Sequence, residues 1–188
     1  MKKIFISAIL LFFAFTSFAQ HIGYVITSTN DTIPCFIVKS SLFGVKYKAN
    51  EKDDFTKIKT DNIKEYQLTK DSTIYLAKAL KDGVSDIEFV QRLEYDKICL
   101  YEQIISGYNN TTTTNWYANK NNGPVVMIKT STAMIFGPNH SDRKKEFLNL
   151  INDDPKITSA YTAEDSFSFK TIRKYIKQYN EAASSQKK

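Results

Sequence analysis

Three features of the sequence predict an α+β fold, an antiparallel β-sheet of several hairpins followed by two or three C-terminal helices packed on it. Up to residue 138 the apolar residues recur in short alternations rich in Val, Ile, Tyr and Phe, the two-residue period of half-buried strands. The stretch from Asp86 to Ile105 carries that alternation twice, on either side of a polar break at Asp96-Lys97, which reads as a central β-hairpin. From residue 139 onward the period lengthens and helix-start signals appear. Strands gathered first and helices last is the α+β order.

The elements follow in chain order. HIGYVITSTNDTIPCFIV holds two β-branched and aromatic runs joined by Ser28-Thr29-Asn30-Asp31, a second hairpin. Pro34 lacks an N–H, so the later strand belongs at an edge or begins with its unpaired side outward. Gly44 to Ala49 is a further strand with Val45 and Tyr47 on one face, and the charged segment Asn50 to Asp54 turns the chain. Phe55 to Leu68 has room for one or two short strands, with Ile63 and Tyr66 as apolar contacts. Ile74 to Leu80 is open to a strand or one helical turn, and the strand is favoured because Asp71-Ser72 and Asp82-Gly83 bracket it as turns.

In the central hairpin Ile87, Phe89, Leu93 and Tyr95 form the apolar parity, with Glu88, Arg92 and Glu94 opposite; Ile98, Leu100 and Ile104 continue beyond the break. Ser106 to Gly123, dominated by Asn and Thr, reads as a long loop, and loops beyond about 12–15 residues are often functional. Val125 to Ile128 and Ala133 to Phe136 are expected to complete the sheet as a last hairpin. Ser141-Asp142 is the expected cap of a helix lined by Phe147, Leu148 and Ile151. Asp154-Pro155 starts the next, before Ile157, Ala160 and Tyr161. Ser168 caps the last helix, which Phe167 can staple at Ile172 and whose stripe is Ile172, Tyr175, Ile176 and Tyr179. Lys170, Arg173, Lys174 and Lys177 occupy its other side, either as a solvated face over a docked stripe or as a membrane-surface patch.

The first nineteen residues read as a signal peptide: Lys2-Lys3, an apolar run from Ile4 to Phe15, then Ser17-Phe18-Ala19 before a cut ahead of Gln20. That run is too short to span a hydrocarbon core, which needs roughly 20 residues, so no stable membrane insertion is expected after cleavage. Residues 20–182 are then one α+β domain, β-rich over 20–138 and helical over 139–182, with 183–188 a disordered tail. Removing the two leader lysines lowers the net charge from +6 to +4. The remaining lysines are scattered singly, which argues against nucleic acid as a partner. Cys35 and Cys99, the only cysteines, are either a disulfide in an oxidising compartment or two separate thiols, since their strand parities differ.

No nucleophile elbow, P-loop, dinucleotide fingerprint, zinc or EF-hand motif is present in the sequence, and nothing in it calls for a cofactor. His21 and His140 have no close acidic or histidine neighbour in sequence. The carboxylate pairs Asp53-Asp54 and Asp153-Asp154 are either paired acids of the kind that serve glycoside hydrolysis or hold Ca²⁺, or a turn and a helix cap, and the turn and the cap are the preferred reading. Tyr108, Trp116 and Tyr117 are the candidate ligand contacts, an aromatic group in the Asn/Thr-rich segment suited to a glycan or protein surface; the alternative is a Trp116 folded back as an anchor.

The succession GYVITSTNDTI, EFVQRLEYDKICLYEQ, FLNLINDDPKIT and IRKYIKQYNE after a leader ending FAQ resembles a group of uncharacterised exported α+β proteins of Bacteroidota bacteria. The resemblance implies a periplasmic or extracellular location and brings no catalytic residues. In that setting Asp31-Thr32-Ile33 resembles a short O-glycosylation acceptor, with Thr32 the candidate site. The expected function is a non-enzymatic binding or scaffolding domain for an envelope protein or glycan. The alternative is a small exported hydrolase whose catalytic groups meet only in three dimensions.

Overall fold

The computed structural model of the protein describes residues 23–41, 44–80, 87–107, 111–132 and 138–185. Its strands are β1 (Gly23–Thr27), β2 (Thr32–Cys35), β3 (Ile37–Ser41), β4 (Gly44–Lys48), β5 (Thr56–Ile58), β6 (Ile63–Gln67), β7 (Ile74–Ala79), β8 (Ile87–Glu94), β9 (Ile98–Ser106), β10 (Thr112–Lys120) and β11 (Val126–Thr130). Three helices follow, α1 (His140–Ile151), α2 (Pro155–Glu164) and α3 (Phe169–Ser185). Eight strands form one antiparallel sheet in the order β11-β10-β9-β8-β7-β6-β1-β2, and β3-β4-β5 form a second. The fold is α+β, as the sequence predicts.

Register places Trp116, Glu102, Gln91, Tyr75, Tyr66, Val25 and Ile33 in one row across the large sheet, and hence on one face. Two different layers cover that face. At the β9–β11 end Ile98, Leu100, Trp116, Ala118 and Ile128 pack against Phe147 and Ile151 of α1, Ile157 and Tyr161 of α2, and Ile172, Tyr175, Ile176 and Tyr179 of α3. At the other end Val25, Cys35 and Tyr66 meet Val38 and Val45 of the small sheet. Gly44 makes that small sheet possible: its φ is +136°, and a Cβ there would lie 2.0 Å from the Ile58 carbonyl oxygen.

The predicted hairpins at β1–β2 and β8–β9 form, and β2, with Pro34, is the edge strand of the large sheet. The helix starts are set locally. Asp154 accepts the Ile157 N–H at 3.0 Å ahead of Pro155, and Ser168 Oγ accepts the Thr171 N–H at 3.0 Å. The first cap lies earlier than Ser141-Asp142. Asn139 accepts from the Asp142 N–H while the Asp142 carboxylate accepts from the Asn139 N–H, a capping box.

Several expectations are corrected. Residues 112–120 are strand β10, between β9 and β11, rather than loop. The expected hairpin parity of β8 is only partly right, since Val90 on the other parity is fully buried while Ile87 is 47% and Tyr95 73% exposed. The cause is a sheet buried on both faces at its centre, where Val90, Cys99, Tyr101 and Tyr117 cluster opposite the helices, together with a bulge between Arg92 and Glu94. Residues 183–185, expected in a disordered tail, belong to α3, where Ser184 Oγ donates to Asp96 Oδ2 at 2.6 Å. The leader 1–19, the strand expected at Ala133 to Phe136 and Tyr108 lie outside the described residues.

Candidate functional site

Trp116 and Tyr117, proposed from sequence as exposed contacts, are 6% and 5% exposed and point to opposite faces of β10. Trp116 is an anchor. Its ring meets Phe169 edge-on at 4.7 Å, and its Nε1–H donates to Glu102 Oε2 at 2.9 Å. The position is therefore structural, because a strand that alternates faces cannot present adjacent aromatics to one ligand.

Tyr117 belongs to a polar network within the other face. Its hydroxyl and Asn115 Nδ2 both donate to Gln103 Oε1, at 3.2 and 3.3 Å, and Gln103 Nε2 donates to the Glu88 carboxylate. Further along the same pair of strands, the Tyr101 hydroxyl donates to Asn119 Oδ1 at 3.1 Å and Asn119 Nδ2 to the Gly123 carbonyl at 3.1 Å. Burial, reinforced at Tyr117 by Glu88 and at Tyr101 by Cys99, raises both phenol pKa values above the ordinary range. The network consumes nearly all its own donors and acceptors; Asn115 Oδ1 is left without a partner. Its evident role is to let amides sit in a doubly buried strand.

The cysteines are two separate buried thiols. Cys35 sits in the cluster between the sheets and Cys99 in the cluster on the opposite face, so a disulfide is excluded by placement. The Cys35 thiol donates to the Ile33 carbonyl at 3.2 Å, and burial pushes its pKa up to about 11, which keeps it protonated and unreactive. Thr32 is exposed on edge strand β2.

The carboxylate pairs have local partners. Asp53 Oδ2 accepts from the Asn50 backbone and side-chain nitrogens at 2.8 and 2.9 Å, closing a turn. Asp153 meets Lys120 Nζ at 2.6 Å and the Tyr179 hydroxyl at 2.9 Å; burial opposes ionisation there, but these two bonds outweigh it and hold the carboxyl below its usual range. His140 packs edge-on against Phe167 at 5.1 Å. Among the described residues no group of three or more His, Cys, Asp or Glu is arranged to hold a metal ion.

Binding geometry occurs instead in surface grooves. One of about 520 Å³ runs between the β8–β9 turn and the end of α3, lined by Glu94, Tyr95, Asp96, Lys177, Asn180, Glu181, Ser184 and Ser185. It is crossed by ion pairs, since Arg173 and Lys177 reach Glu94 at 2.5 and 3.5 Å. Another of about 480 Å³ lies along β3 and is lined by Ile37, Val38, Lys39 and Ser40 on one side and Leu68 to Asp71 on the other. This second groove combines an aliphatic floor with the backbone of an edge strand, the two things that recognise an extended chain. Sequence reading missed it, because its walls are thirty residues apart and neither carries a motif. No family model matches this chain, and no curated protein or solved structure is significantly similar to it.

Proposed function

We propose that this protein is exported and works as a non-enzymatic binding or scaffolding domain in the envelope or outside the cell, with a protein as its partner. The observation that carries the reading is the β3 groove, whose concave surface is aliphatic at Ile37, Val38 and Leu68 and whose rim is polar. A glycan partner loses the contacts that the sequence offered for it, because Trp116 and Tyr117 are inside the fold. Export rests on the leader sequence and its Ser17-Phe18-Ala19 cleavage signal. Among the described residues no helix is long and apolar enough to cross a membrane.

The test places a photo-crosslinking amino acid at Lys70, on the β3 groove, and separately at Glu181, on the α3 groove, in cells that make the protein. A discrete protein adduct from either position is expected, and the recovered chain should begin at Gln20. Adducts from neither position, or a chain that keeps Met1 in the envelope fraction, would overturn the reading.

A further inference from the structure

We propose that β3 receives an extended segment of the partner by strand addition, and that this segment alternates aliphatic with acidic residues. The inference rests on the binding reading above and names the chemistry of its partner. Among the described strands β3 pairs with β4 alone, so one of its edges carries main-chain groups with no strand beside them. That edge is the wall of the groove. Ile37, Val38, Lys39 and Ser40 all line it, although consecutive residues of a strand point to opposite faces, which means the groove follows the backbone rather than one side-chain row. At least one edge donor is directed outward from the sheet, since the Val38 N–H donates to Thr69 Oγ1 at 2.7 Å and not to β4. Thr69 holds the place that a partner carbonyl would take.

Proteins ordinarily guard such an edge with a charge, and Lys39 is in the guarding position. Its ammonium is drawn aside over the Phe55 ring, 5.1 Å from the centroid, so it flanks the groove instead of blocking it. Lys70 lines the facing wall. Asp71, the one acid there, accepts the Thr73 N–H at 3.0 Å to close its own turn, and hydrogen bonds from the Thr73 side chain and backbone, with the neighbouring Lys70, hold its carboxyl below the usual range. The rim therefore carries two cations against one anion, on a chain whose net charge is +4 once the two leader lysines are removed from the full +6, and complements an acidic strand. The same charges disfavour a second copy of this chain. Lys39 is the middle residue of β3, so two-fold pairing of β3 with itself would set Lys39 opposite Lys39.

The experiment uses three blocked heptapeptides as probes: one alternating Glu and Val, one alternating Lys and Val, and the Glu/Val peptide N-methylated at its central residues. Binding is measured by calorimetry and located by amide hydrogen exchange. The Glu/Val peptide should bind saturably, at least tenfold tighter than the Lys/Val peptide, and slow exchange at residues 37–41; N-methylation should abolish binding. Lys39→Glu with Lys70→Glu, both exposed and checked for folding by circular dichroism, should reverse the charge preference. Absence of saturable Glu/Val binding, equal affinity for both charges, protection elsewhere, or uptake of dodecanoate without peptide binding would each overturn the inference. Crosslinks that arise only from Glu181 would leave the binding function standing and remove this site from it.

Discussion

Asn180 offers the sharpest test of how the helices hold the sheet. Its carboxamide reaches 82 residues back to Ile98, accepting the Ile98 N–H at 2.9 Å and donating to the Ile98 carbonyl at 2.8 Å. β8 cannot supply these bonds, because its pairing with β9 ends at Glu94↔Leu100, short of Ile98. Ile98 is fully buried and Asn180 is 8% exposed, so water does not replace the amide freely. Asn180→Ala leaves two buried main-chain groups unpaired at about 1–3 kcal/mol each. A loss near 4 kcal/mol should lower the melting temperature by about 8–16 °C, at roughly 2–4 °C per kcal/mol for a chain of this size. Asn180→Leu separates hydrogen bonding from cavity formation, since leucine has similar volume and neither donor nor acceptor. Urea unfolding and thermal melts should find it about as unstable as the alanine variant. Restoration of wild-type stability by leucine would refute the argument, for it would show that these two bonds contribute nothing net.

Ile176, wholly buried in the helix–sheet core, should cost about 2–5 kcal/mol as Ile176→Ala; an unchanged melt would mean that α3 is peripheral. Trp116 is the sole tryptophan, so the native protein should show blue-shifted emission shielded from acrylamide, and Trp116→Ala should lose about 3–5 kcal/mol without changing adduct formation at Lys70. Tyr24, Tyr66 and Tyr161 are raised to about 12, by burial first in each case, with Glu65 adding to Tyr24 and Asp165 to Tyr161. Because the folded values exceed the ordinary value near 10, their contribution to stability is complete below about pH 10 and is lost as pH rises toward 12. Ultraviolet difference titration should show these phenolates appearing late and together with unfolding; a single reversible step near pH 10 in the folded protein would contradict the placement.

The local grammar of this chain was legible without a structure. Asn30, with φ of 67°, turns the first hairpin where Ser28 to Asp31 predicted it. Pro34 marked an edge strand, Asp154-Pro155 marked a helix start, and the stripe Ile172, Ile176, Tyr179 is the buried side of α3. These outcomes depend on neighbouring residues alone: turn chemistry, caps and period. The lysines on the outer side of α3 resolved only in space. Arg173 and Lys177 meet Glu94, and Lys174 meets Glu164 at 2.6 Å, contacts to other elements that a helical wheel cannot contain.

β10 marks the limit most clearly. Its Asn and Thr content resembled a loop, although three β-branched threonines and the Asn121-Asn122 pair, which turns the chain at φ of 52° and 58°, were signals of a strand ending in a tight turn. Whether Asn115 and Asn119 can be buried depends on Gln103 lying opposite Asn115 in β9 and on Tyr101 lying diagonally across from Asn119, which is a matter of register. The separation of Cys35 from Cys99 depends likewise on which layer covers which face of the sheet. The β3 groove, too, exists only because a turn at Leu68 to Asp71 is carried beside a strand thirty residues earlier. Propensity acts over a few residues, whereas pairing partners, covered faces and concavities are set by contacts that the linear order leaves undetermined.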